Sequence, residues 1–141
     1  MKKIISLLIC IAALTGSSAY ASSNTELYFN GERKAETINV LQIDGNVFVP
    51  IRPVWDAAGL KLTWDGMRKR ITTTTAIGKL KIQIGSNLVS VNPSVYEAKL
   101  ISAYPRIYEG ATMIPIDFAA ECVGAAIQYS ENNNAVMIIT E

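Results

Sequence analysis

Cys122, the carboxylates Asp56 and Glu121, and the basic run Arg68-Lys69-Arg70 are the groups in this 141-residue chain that could do chemistry. They must do it without imidazole, because the chain contains no histidine. A serine or cysteine nucleophile is activated by an adjacent base, most often histidine, so no histidine-based constellation can form, and a lysine or tyrosine base is left open. Cys122 stands among Ala119, Ala120 and Val123 at helical spacing and reads as a small residue on a helix face. Histidine is also the commonest metal ligand, and a histidine-based metal site is therefore excluded. Oxygen ligands for calcium could come from Asp65 or from Glu131-Asn132-Asn133-Asn134. Neither stretch has the alternating acidic pattern of a calcium loop, and both read as polar turns. Asp56 and Glu121 could supply the carboxylate pair of a glycoside hydrolase. A chain with 12 acidic residues offers many such pairs, and no spacing singles this one out. No cofactor and no enzymatic activity are expected.

The basic residues are more concentrated. Arg68, Lys69, Arg70, Lys79 and Lys81 form the one basic cluster and are the candidate ligand contacts. One reading is a solvated hairpin tip followed by an edge strand guarded by lysines. The other is contact with an anionic wall polymer. Aromatic residues could form a sugar-binding platform. Trp55 falls on a helix stripe, and Trp64 corresponds to Tyr129 in a repeat described below, so both read as core. Tyr96, Tyr104 and Tyr108 read as exposed.

The start of the chain has the form of a removable export signal. Lys2 and Lys3 precede an apolar run from Ile4 to Leu14, and Ala19-Tyr20-Ala21 is a small-x-small cleavage motif. The apolar run is shorter than the roughly 20 residues a bilayer span needs. Residues 1–21 are read as a signal peptide and 22–141 as one domain with no transmembrane segment. The expected location is outside the cytoplasm: secreted, at the cell surface or periplasmic. Without the signal, 11 basic residues face 12 acidic ones, a net charge of −1. That balance gives no electrostatic reason to expect nucleic acid as partner. Cys122 is then the single cysteine, which rules out an internal disulfide. A domain of this size can still be stable on one hydrophobic core.

The elements that must position these groups are written twice. Val47–Thr75 and Thr112–Thr140 align without a gap at an offset of 65, with Pro50 on Pro115, Ile51 on Ile116 and Gly59 on Gly124. Asp44-Gly45, between Ile38–Ile43 and Val47–Val49, is a hairpin signal, because both central residues of a type I′ turn need positive φ. Glu109-Gly110 stands at the same place in the second copy. A short helix follows in each copy, with proline at its first position and glycine just past its end. Ile51, Val54, Trp55 and Ala58 share one face, and so do Ile116, Ala119, Ala120 and Val123. Strands Leu60–Trp64 and Ile71–Thr75 come next, matched by Ala125–Tyr129 and Val136–Thr140. Between the copies, Lys79–Ile84 and Leu88–Val91 form a hairpin in which Leu80, Ile82 and Ile84 alternate with polar residues. The expected fold is α+β: an antiparallel sheet wrapped around two short helices, built from duplicated hairpin–helix–hairpin units over about 26–75 and 88–141.

Three stretches carry a family resemblance: Phe48-Val49-Pro50-Ile51-Arg52, Ala57-Ala58-Gly59 and Trp64-Asp65. Met113-Ile114-Pro115-Ile116, Ala119-Ala120-Glu121, Gly124 and Tyr129 repeat it, and Ile82-Gln83-Ile84-Gly85-Ser86 with Val91-Asn92 fits between. This pattern resembles the copper amine oxidase N-terminal-like domain, the stalk-like first domain of some copper amine oxidases, over nearly the whole mature chain. The resemblance implies a sheet wrapped around helices, in bacterial secreted or envelope proteins, often beside other domains. It implies no oxidase chemistry, since in those enzymes the stalk is separate from the catalytic part. The chain departs from the pattern at Cys122 and at Asp117, where an arginine is usual, which argues against a site built on a symmetric arginine pair. The resulting expectation is an exported, non-enzymatic binding or scaffolding module at the cell envelope, with a wall polymer or a protein as partner. The alternatives are a carbohydrate-recognition module and a small secreted hydrolase.

Overall fold

A computed structural model describes residues 20–92 and 97–140. Residues 1–19, which hold most of the expected export signal, and Tyr96 lie outside the described residues. In chain order the elements are β1 (Tyr20–Phe29), β2 (Glu32–Ile43), β3 (Asn46–Pro50), α1 (Ile51–Ala58), β4 (Leu62–Asp65), β5 (Arg70–Thr75) and β6 (Gly78–Gln83). They continue with β7 (Leu88–Val91), β8 (Glu97–Leu100), β9 (Arg106–Tyr108), β10 (Ala111–Pro115), α2 (Ile116–Val123), β11 (Ala126–Ser130) and β12 (Ala135–Ile139). Among the described residues the fold is α+β, mostly strand, with two helices of eight residues each. β1 begins two residues before the expected mature start, with Tyr20 opposite Ile43 and Ala21 opposite Gln42.

The strands form two sheets where one was expected. The larger has the order β11-β12-β1-β2-β3-β10-β9 and the smaller the order β4-β5-β6-β7-β8. Among the described residues all pairs are antiparallel except β1–β12, which is parallel, with Leu27 opposite Val136. Both helices lie between the sheets. Ile51, Val54 and Trp55 of α1 and Phe118, Ala119 and Cys122 of α2 share a core with Leu27, Val40, Val49, Ile114 and Ile138 of the larger sheet. Ile71, Leu80, Ile82 and Val89 of the smaller sheet close it from the other side. Side chains alternate across a strand, so the neighbours Phe48 and Val49 point opposite ways. Phe48 joins Leu41, Ile43 and Met113 in a second cluster on the outer face, partly roofed by Ala103.

The turns follow the residue chemistry. Asp44 and Gly45 have φ of 50° and 81°, and Glu109 and Gly110 have 49° and 79°, as type I′ turns require. Gly59 and Gly124 end the helices at φ 75° and 73°. Past α1 the N–H groups of Gly59 and Leu60 bond back to the carbonyls of Asp56 and Trp55, which satisfies carbonyls the helix leaves open.

Four expectations are corrected. Pro50 and Pro115 cap the helices in extended conformation and are not their first helical residues. Each proline is also the last residue of a strand, where its missing N–H is harmless. On α2 the fully buried residues are Phe118, Ala119 and Cys122, while Ile116, Ala120 and Val123 are half-buried. The large ring of Phe118, at the place Pro53 has in α1, takes the interior and turns the stripe. The β6 strand lies between β5 and β7, so its lysines guard no edge. Finally, Trp64 is not core: it is 37% exposed, because β4 is the terminal strand of the smaller sheet and its inner face is only partly covered.

Candidate functional site

The basic cluster divides when folded. Arg68 sits in the β4–β5 turn with its guanidinium 3.1 Å from Asp65 Oδ2. The Asp65 carboxylate also accepts the N–H groups of Met67 and Arg68, and this backbone bonding, followed by the Arg68 side chain, holds it below the ordinary carboxylate range. Lys69 takes φ 51° at the tip. Gln83 Nε2 donates to the carbonyls of Arg68 and Lys69 and ties the tip to the end of β6.

Arg70, Lys79 and Lys81 come together differently. Cross-strand register puts Arg70 opposite Gln83, Lys81 opposite Thr72 and Ser90, and Lys79 opposite Thr74. All of these face away from the core that Ile71, Thr73, Leu80 and Ile82 enter, so three cations share one outer sheet face with Thr63, Thr72, Thr74 and Ser90. Arg70, Lys79 and Lys81 take part in no ion pair among the described residues.

The other candidates are tied up or apart. Cys122 is fully buried, and burial pushes its thiol up to about 12. Glu121 is paired to Lys99 at 2.7 Å. Asp56 is exposed and lines hollows to which Glu121 does not contribute. Gln42 donates to Glu131 at 2.8 Å. Among the described residues no three metal-ligating side chains come together.

Two features escaped sequence reasoning. The first is a groove of about 300 Å³ at the mouth between the sheets, where β4 ends one and β9 ends the other. Leu62 and Trp64 of β4 line it on one side and Ile107, Gly110, Ala111 and Thr112 of the β9–β10 hairpin on the other, with Ile51, Arg52 and Pro53 of α1 and Ile71 of β5 between them. Only the placement of Trp64 on a terminal strand could have revealed it. The second is Arg106, whose guanidinium carbon lies 4.1 Å from the Tyr104 ring centre and 4.7 Å from that of Phe48. Its Nε is buried without a hydrogen-bond partner, so ring faces and not a carboxylate hold the cation. Tyr104 is exposed as expected, while Tyr108 is half-buried against the outer cluster.

No helix among the described residues is long and apolar enough to cross a membrane. No curated protein and no solved structure matches the chain. The copper amine oxidase N-terminal domain profile matches residues 28–138. This span runs from β1 to β12 and takes in both sheets, both helices, the basic face and the groove. In that family the domain is the non-catalytic N-terminal part of the amine oxidases. The chain belongs to the copper amine oxidase N-terminal domain family.

Proposed function

We propose that this protein is an exported, non-enzymatic binding module of the cell envelope that holds an anionic wall polymer against the outer face of its smaller sheet. The observation that carries the reading is the grouping of Arg70, Lys79 and Lys81, without ion-pair partners among the described residues, on one face lined with threonines. A face of this kind meets successive negative groups along a chain by charge and offers hydroxyls between them. The family's non-catalytic character and the small-x-small motif behind an apolar run support the same reading.

The two halves are read as copies of one unit. Supporting this, β3 and β10 pair antiparallel with Val49 opposite Ile114, Phe48 opposite Pro115 and Pro50 opposite Met113. Under the offset of 65 each of these pairs exchanges into another or into itself, as a local two-fold axis would require. The copies diverge after the helices, since β4–β5 joins the smaller sheet and β11–β12 the larger.

The test is co-sedimentation with isolated envelope material. The protein pellets at low salt and is released as ionic strength rises, because exposed charges are screened over about 10 Å at 0.1 M. The triple change Arg70→Ser, Lys79→Ser, Lys81→Ser abolishes pelleting and leaves the thermal transition in place. Equal pelleting of the two proteins would overturn the role of this face.

A further inference from the structure

The groove between β4 and the β9–β10 hairpin is a second site, separate from the basic face, and its lining specifies a ligand. Trp64 is 37% exposed and Ile107 45%, and they stand on opposite sides. Trp55, the other tryptophan, is 1% exposed and donates its indole N–H to Thr73 at 2.8 Å. The Trp64 indole has no such bond among the described residues and keeps its N–H free for a ligand. Arg52, in the first turn of α1, lines the same groove. It is exposed and makes no ion pair among the described residues, although Asp56 stands one turn away. In the second half of the chain the place of Arg52 is taken by Asp117, which accepts from Ser102 and from the Phe118 N–H. The second half of the chain therefore has no cation at the place of Arg52. Thr112 adds a hydroxyl at the rim.

A large flat indole face, an unpaired guanidinium and a hydroxyl within one hollow match a pyranose ring that carries a carboxylate. The ring's C–H face stacks on the indole, the guanidinium forks onto the carboxylate, and its hydroxyls meet Thr112 and the indole N–H. A volume of about 300 Å³ is at the small end for ligand pockets, enough for a sugar unit or two but not for a folded partner. An extended peptide held by strand addition fits less well, since β4 has four residues and β9 three. We infer that this groove binds an acidic saccharide, with Trp64 as the stacking platform and Arg52 as the carboxylate clamp.

The experiment is calorimetric titration of the protein with trigalacturonate and, separately, with its fully methyl-esterified, neutral counterpart. Trigalacturonate binds, and the neutral trimer binds about tenfold more weakly or not at all. Trp64→Ala abolishes binding, and Arg52→Gln weakens trigalacturonate binding about tenfold while leaving the neutral trimer unchanged. Both positions are exposed, and Trp64→Phe, which retains a ring, guards against a folding defect by keeping part of the affinity. The triple change of Arg70, Lys79 and Lys81 leaves the titration unaltered, which separates this site from the basic face. Absence of binding by trigalacturonate at millimolar concentration, equal binding of the two trimers, or insensitivity to Arg52→Gln would each overturn the proposal.

Discussion

Trp55 and Thr73 are joined in the interior by a 2.8 Å hydrogen bond from the indole Nε1 to the hydroxyl oxygen, and that hydroxyl in turn donates to the carbonyl of Lys61 at 2.6 Å. The chain of bonds fastens α1 to β5 and to the segment entering β4. It also explains a polar residue 3% exposed in a sheet face otherwise filled by Ile71, Leu80 and Ile82. Thr73→Val keeps the shape but strands a buried donor and a carbonyl. It lowers unfolding free energy by about 1–3 kcal/mol. Thr74→Val, on the exposed face, stays within about 0.5 kcal/mol. Equal denaturation midpoints for the two variants would show that the bond contributes nothing.

The two helix stops separate backbone strain from crowding. Both Gly59 and Gly124 are left-handed, but a Cβ added at Gly59 meets nothing within 4 Å, whereas one at Gly124 comes within 3.1 Å of the Ala76 Cβ. Gly59→Ala therefore costs about 1 kcal/mol from conformation alone. Gly124→Ala costs more, because the β5–β6 turn must also yield. Chemical denaturation of the two variants checks the order, and a larger loss at Gly59 would contradict it.

Much of this was legible beforehand, and the boundary has a physical cause. Local chemistry wrote the Asp44-Gly45 and Glu109-Gly110 turns and the glycine stops, because positive φ is demanded by the residue's own backbone. Alternation in β6 was equally plain. Which sheet a strand joins depends on partners far along the chain, so neither the division into two sheets nor the parallel pairing of β1 with β12 could be read. Trp64 shows the same limit at a single residue. Its alternation with Leu62 points it inward, but its exposure follows from β4 having no neighbour on one side. In the basic cluster, spacing located the cations, while register decided that Arg70, Lys79 and Lys81 share a face and Arg68 is engaged by Asp65.

Cys122 provides a pH-dependent readout of the core. Below 9.0, its ordinary value, the thiol is protonated in folded and unfolded chains alike, and its contribution to stability is fully present. Between 9.0 and about 12 the unfolded chain ionises while the buried thiol does not, so stability falls as pH rises. The slope attributable to this group reaches about 1.4 kcal/mol per pH unit. Cys122→Ala lacks it, and the difference between the two proteins from about pH 8 to 11 isolates it from lysine and tyrosine titration. Parallel stability curves would show that the thiol ionises equally in both states. The native thiol also resists alkylation until the chain unfolds.

Asp65 has the opposite sign. Its carboxyl is held below the ordinary 3.8 by the Arg68 N–H and then by the Arg68 guanidinium. The stability this confers is present above that value and is lost as pH falls through the lower folded-state value. Asp65→Asn, which cannot titrate, loses less thermal stability than the native protein on acidification from about pH 5 to 2. A larger acid loss in the variant would refute the assignment.

The parallel pairing of β1 with β12 has a consequence for how the molecule is made. Asn30 and Thr140 are bonded twice, Asn30 Nδ2 to Thr140 Oγ1 at 2.7 Å and the Thr140 N–H to Asn30 Oδ1 at 2.9 Å, across 110 residues. One flank of the larger sheet cannot close until its last strand has been synthesised, and contacts this distant slow folding. A ribosome-bound chain therefore carries β1 with one edge open for most of its synthesis. Throughout that interval the nascent protein presents an unpaired strand that a chaperone can still grip.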